Sequence, residues 1–254
     1  MNGKIKIFSK ANMLDQNLKM TVVLVITALI SIILNNTFVF GEILLQLPQL
    51  KVYTEPTLKD FILVMSGVIA YVVIMPFNYG RDMWFYENAR KNKLSLKKLF
   101  SFYNVRKSVG AIKITFFVQL RKFLATILFM IPSFSLGGYF IYALKEGIGQ
   151  VLFIVLSVSI ILLSVTGFFF SFVYSQKYFL AQYLYYENEP CKVNEIIKLS
   201  SKIMENKCFE TAMLKLSFFP WWLLCVLIFP TVYVYPYYKL SISFKAITIL
   251  ANNT

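Results

Sequence analysis

The side chains that most often do chemistry are scarce in this sequence. Cys191, Cys208 and Cys225 are its only thiols, and it has no histidine. No two of the cysteines stand at CxxC spacing, so neither a zinc ribbon nor a thioredoxin-like pair is predicted. Their odd number and wide spacing predict three unpaired thiols that serve as small apolar side chains. Without histidine there is no imidazole base, no imidazole-ligated metal and no imidazole pH switch. No Walker loop, GxSxG elbow or HExxH motif is present either. The expectation is no catalytic residue, no cofactor site, no metal site and no enzyme.

Lysine and arginine are the abundant charged groups. The chain carries 26 of them against 12 Asp and Glu, for a net charge of +14. They sit in a sequence that is 58% hydrophobic and only 15% charged. A soluble domain carries about 25% charged residues, and a disordered chain far fewer apolar ones. The composition therefore predicts a polytopic membrane protein with a basic surface outside the bilayer.

A crossing helix needs about 20 mostly apolar residues. Five stretches qualify: 20–40, 61–79, 123–144, 151–173 and 209–230. A sixth, 236–250, is a short span or an interfacial helix. The first follows a basic N-terminus, is longer than a signal-peptide core and has no cleavage site after it, so it reads as a retained span. Pro132 and Pro220 predict kinks. Gly80, the Gly137-Gly138 pair and Gly167 are candidates for close helix approach.

Between the spans lie amphipathic segments. Ser95 suits an N-cap, with Leu96, Leu99, Phe100 and Tyr103 following at helical spacing. A second short helix is predicted from Ser108, using Ile112, Phe116 and Gln119. A third places Val193, Ile196, Ile197, Ser200, Ile203 and Met204 on one face and Asn194, Glu195, Lys198, Lys202 and Glu205 on the other, as for a helix on a surface or against partner helices. The fold class is thus all-α: a single integral membrane domain over 1–254, with five to six spans and cytoplasmic interfacial helices.

Charge sets the orientation. Of the 26 basic residues, 21 fall in residues 1–19, 81–122 and 177–215, which are alternate segments and so lie on one side. The positive-inside rule places them, and the N-terminus, in the cytoplasm. The partners this implies are the bilayer, its anionic headgroups at the cytoplasmic face, and a membrane-protein partner or second copy. Nucleic acid is not expected, because no nucleic-acid module accompanies the charge.

Several motifs stand together. Pro76, Gly80 and Trp84 are spaced four apart before the basic segment, and Ile131-Pro132 follows in the third span. Glu189-Pro190 precedes Ser200 or Ser201, Met204 and Lys207. Leu216-Ser217-Phe218, Trp221 and Pro236-Tyr237 come later. Over roughly residues 60–240 this pattern resembles the domain-of-unknown-function 975 family of bacterial integral membrane proteins. Glu205-Asn206 stands where that family usually has a glycine before the lysine, and Ser133 where a glycine commonly follows the proline. The resemblance implies a multi-pass fold in the bacterial cell membrane and no established activity. On the residues themselves, Trp221 and Trp222 suit the headgroup belt, and Lys215 can snorkel from the start of the fifth span.

No span carries a central Asp or Glu, the usual mark of proton or ion coupling. The expected function is action through lipid or protein contacts, as a scaffold, accessory or envelope-homeostasis factor. The alternative is a transporter or channel for a small or lipidic solute, since Pro- and Gly-interrupted spans can open cavities.

Overall fold

A computed structural model describes residues 2–44, 58–91, 96, 99–100, 105–147, 149–188, 192–225 and 230–252. They are helical, with no strand among them. The helices are α1 (Asn2–Leu44), α2 (Leu58–Lys91), α3 (Val105–Glu146), α4 (Gln150–Ser175), α5 (Ala181–Glu187), α6 (Val193–Met204), α7 (Cys208–Leu216), α8 (Phe219–Leu224) and α9 (Thr231–Ala251). A 3-10 turn at Gln176–Tyr178 follows α4. Contacts divide the chain into two compact units, one of residues 1–113 and 218–252, the other of residues 114–217.

In the first unit α1, α2 and α9 pack on one another, and α8 leans on α9. Its core joins Met13, Met20, Val23, Trp84, Phe85, Ala89, Leu99 and Leu240. The proline positions are instructive. Pro76 and Pro236 lie inside α2 and α9 and are both buried.

The second unit is built on a hairpin of α3 and α4. The sequence predicts a short amphipathic helix from Ser108 and a separate third span. The two are one continuous helix, because nothing between Lys122 and Phe123 breaks the backbone ladder. At the tip Gly147 has φ +81°, a conformation that a side chain would strain. A Cβ on Gly167 of α4 would sit 2.6 Å from the Phe129 carbonyl oxygen of α3. The missing side chain thus lets the two backbones approach. Thr126 and Ser171 share a 2.7 Å hydrogen bond, and the Phe129 ring lies against Tyr174 at 5.7 Å. Gly137 and Gly138 have open space around them, so of the glycines predicted to bring these helices together only Gly167 does so.

Among the described residues two helices are long and apolar enough to cross a membrane, Lys107–Glu146 and the run Gln150–Glu187. A third is added if Asn2–Leu14 and Leu18–Ile30, set 91° apart, form one span. The 209–230 stretch is not one straight helix. Helix α7 ends at Leu216, and Ser217 Oγ donates to the Leu214 carbonyl at 2.6 Å. Helix α8 then restarts with Pro220 in its first turn, where a missing N–H costs nothing. Proline here marks a restart where a kink is predicted.

Helix α6 has the predicted face, with Ile196, Ile197, Ser200 and Met204 buried. That face is covered by α5 and the 3-10 turn of the same chain. It is therefore not the surface that would meet lipid.

Candidate functional site

In the first unit two of the motif residues quoted above, Trp84 and Tyr237, pack into one core. Trp84, one turn beyond Gly80 and two beyond Pro76, is 2% exposed and meets Phe85 edge-on at 5.2 Å. On α9, Pro236 is buried, and Tyr237 meets Phe218 at 5.1 Å. Trp221 is exposed on α8, while Trp222 packs against Tyr238 at 5.5 Å.

Beside these residues is a group that the sequence did not single out. Asp82 Oδ1 accepts from Lys239 Nζ at 2.7 Å and from Arg81 Nε at 3.1 Å. Their side chains are 25%, 19% and 13% exposed. Both cations also lie by the Tyr235 ring, Arg81 at 5.6 Å and Lys239 at 5.8 Å. Burial alone would push the Asp82 carboxyl up. Lys239 and Arg81 overcome this and hold it below its ordinary value. Further in, Asn88 is fully buried with neither amide atom hydrogen-bonded, and Ser241 Oγ and Trp84 Nε1 are likewise unpartnered. This arrangement ties α2 to α9. It offers no activated nucleophile, and no cluster of potential metal ligands occurs among the described residues.

In the second unit the hairpin's base is polar. Ser200 Oγ donates to the Lys177 carbonyl at 2.9 Å, fixing α6 to the 3-10 turn. Met204 is fully buried, and the Lys207 N–H returns to the Met204 carbonyl at 2.9 Å. Lys215 Nζ donates to Gln176 Oε1 at 2.7 Å and lies over the Phe179 ring at 4.9 Å. This half-buried ammonium thus has its partners within its own unit. Lys177 covers Tyr174 at 4.3 Å, and Arg121 donates to Asn194 at 3.3 Å. Cys208 is a buried free thiol and Cys225 a half-buried one. Pro190 and Cys191 lie outside the described residues.

Farther along the hairpin, α3 and α4 part to leave an open groove of about 680 Å³. Three serines (Ser133, Ser157, Ser164) and the Gly137-Gly138 pair line it, with Phe134, Phe140, Ile141, Ile160 and Ile161 as apolar walls. Pro132 is exposed on α3 beside it. The Asp82 cluster, the hairpin base and the groove are thus three polar places among the described residues.

No protein-family model, curated protein or solved structure matches this chain. The motif resemblance stands on the quoted residues alone.

Proposed function

We propose that this is a multi-pass protein of the bacterial cell membrane that acts through contacts with lipid and with a protein partner or second copy, in a scaffold, accessory or envelope-homeostasis role. It has five or six spans, its N-terminus lies in the cytoplasm, and it performs no catalysis. One observation carries the reading: the α3–α4 hairpin is apolar outward. Only 11% of the apolar window in each of its two long helices is buried. Residues 123–144 and 151–176 carry no charge. At 1.5 Å per residue these runs cover about 33 and 39 Å, enough for a hydrocarbon core of about 30 Å. Arg121, Lys122 and Lys177 flank them at one end, where anionic headgroups favour them by about 1 kcal/mol each.

Mild-detergent purification with in-membrane crosslinking tests the contact role. A reproducible partner or defined oligomer is expected. A strictly monomeric protein with no recurrent neighbour sinks it.

A path for a small or lipidic solute is the second reading. The groove favours it, because two of its serines, Ser133 and Ser164, lie near mid-depth of the charge-free runs.

A further inference from the structure

We propose that the α3–α4 groove binds a single-chain amphiphile from the bilayer, one whose hydroxyl or carbonyl group reaches Ser133. This rests on the hairpin crossing the membrane and goes on to name what the groove takes.

Depth is the first argument. Ser133 stands eleven positions after Lys122 and twelve before Lys145. Ser164 stands fourteen after Gln150 and thirteen before Lys177. Both hydroxyls therefore lie near the middle of the crossing, on facing walls of the groove.

Hydrogen bonding is the second. Ser135, Ser157 and Thr166 donate back to the carbonyl four residues earlier, the usual solution in lipid. Ser133 does not. It is 4% exposed, and its Oγ has no partner. A hydroxyl in an apolar medium is costly without one.

Shape suits an alkyl chain. The close Phe129–Gly167 approach lies beyond one end of the groove, and Phe140 of its wall meets Phe153 at 5.5 Å towards the other. From Phe129 to Phe140 is about 16 Å along the helix, and the groove of about 680 Å³ is open along one side. An alkyl chain fits within it. The volume and the mostly apolar lining with a few polar groups also match ordinary small-ligand sites. Gly137 and Gly138 leave the wall bare, and the open side gives lateral entry from lipid.

The test uses the full chain in liposomes of phosphatidylethanolamine and phosphatidylglycerol. The probe is a photoactivatable, alkyne-tagged palmityl alcohol, with untagged palmityl alcohol as competitor. Expected is saturable labelling that maps to residues 133–141 and 157–164. Ser133→Ala should lower apparent affinity about two- to tenfold, the scale of one hydrogen bond. The same variant should leave labelling by a hydroxyl-free alkane probe unchanged, a split that a misfolded variant would not show. Gly138→Leu should abolish saturable labelling. If that variant unfolds, Ser164→Leu fills the groove from the other wall with the same expectation. Labelling spread evenly over both helices and insensitive to competitor overturns the site. So does a Ser133→Cys disulfide between copies that blocks the probe, since the groove would then be an inter-copy contact. Extraction of the unmodified protein by alkaline carbonate would instead remove the membrane reading, independently of the labelling pattern.

Discussion

Asp82 accepts from two cations through one oxygen, and this makes it the residue whose loss the first unit should feel most. Asp82→Asn leaves Lys239 and Arg81 without their carboxylate in a mostly buried setting. Breaking a buried pair costs several kcal/mol, and a quarter-exposed site recovers part of it. A loss of about 1–3 kcal/mol is expected, read as a lower Tm in detergent. The pH dependence follows from the direction of the shift. The folded carboxyl titrates below its ordinary 3.8, so its stabilisation is complete above that value and fades as pH falls through the folded value. Wild-type Tm should therefore fall below about pH 4, and Asp82→Asn should remove part of that fall. Equal steepness in the two proteins would discard the assignment. The sequence showed neither pairing nor burial here. Asp82 and Lys239 are 157 positions apart, and Asp82 looked like an ordinary charge at a span's end.

At the scale of helices, the two kinds of glycine should behave oppositely. Gly167→Val places a side chain against the Phe129 carbonyl, which is backbone and cannot turn away. Parting the hairpin should cost about 1–3 kcal/mol. Gly137→Ala meets nothing within 4 Å and should change stability by less than about 1 kcal/mol. Thermal unfolding of both variants checks the contrast. From sequence the three glycines looked alike, because which one marks the crossing depends on how α3 pairs with α4. The face of α6 was legible, since a 3.6-residue period survives whatever covers it. What covers it was not, because the same stripe suits lipid and protein. The α7–α8 break was hidden for a related reason: hydropathy sees the apolar run through Ser217 and not the turn there.

For the whole molecule, charge is the best guide. The concentration of basic residues in alternate segments predicts where reporters will be accessible. A reporter at residue 1 should face the cytoplasm and one at the 147–149 tip the outside. Replacing Arg121, Lys122 and Lys177 together with Glu should weaken that preference, by about 1 kcal/mol per position removed from anionic lipid. Unchanged orientation in the triple variant would show that other segments set the topology. Composition and helical periodicity were enough to expect helices, some of them apolar enough to cross a membrane, as the described residues have. They could not show that the contacts fall into two units, because apolarity does not record which helices pair.

The short link between α3 and α4 has a consequence for how the chain is made. Only residues 147–149 separate the two helices, and only Lys145 and Glu146 add charge beside them. With the hairpin crossing the bilayer as proposed, neither arm crosses fully during synthesis without drawing the other after it. The pair should enter the bilayer together, carrying almost no polar cargo to the far side.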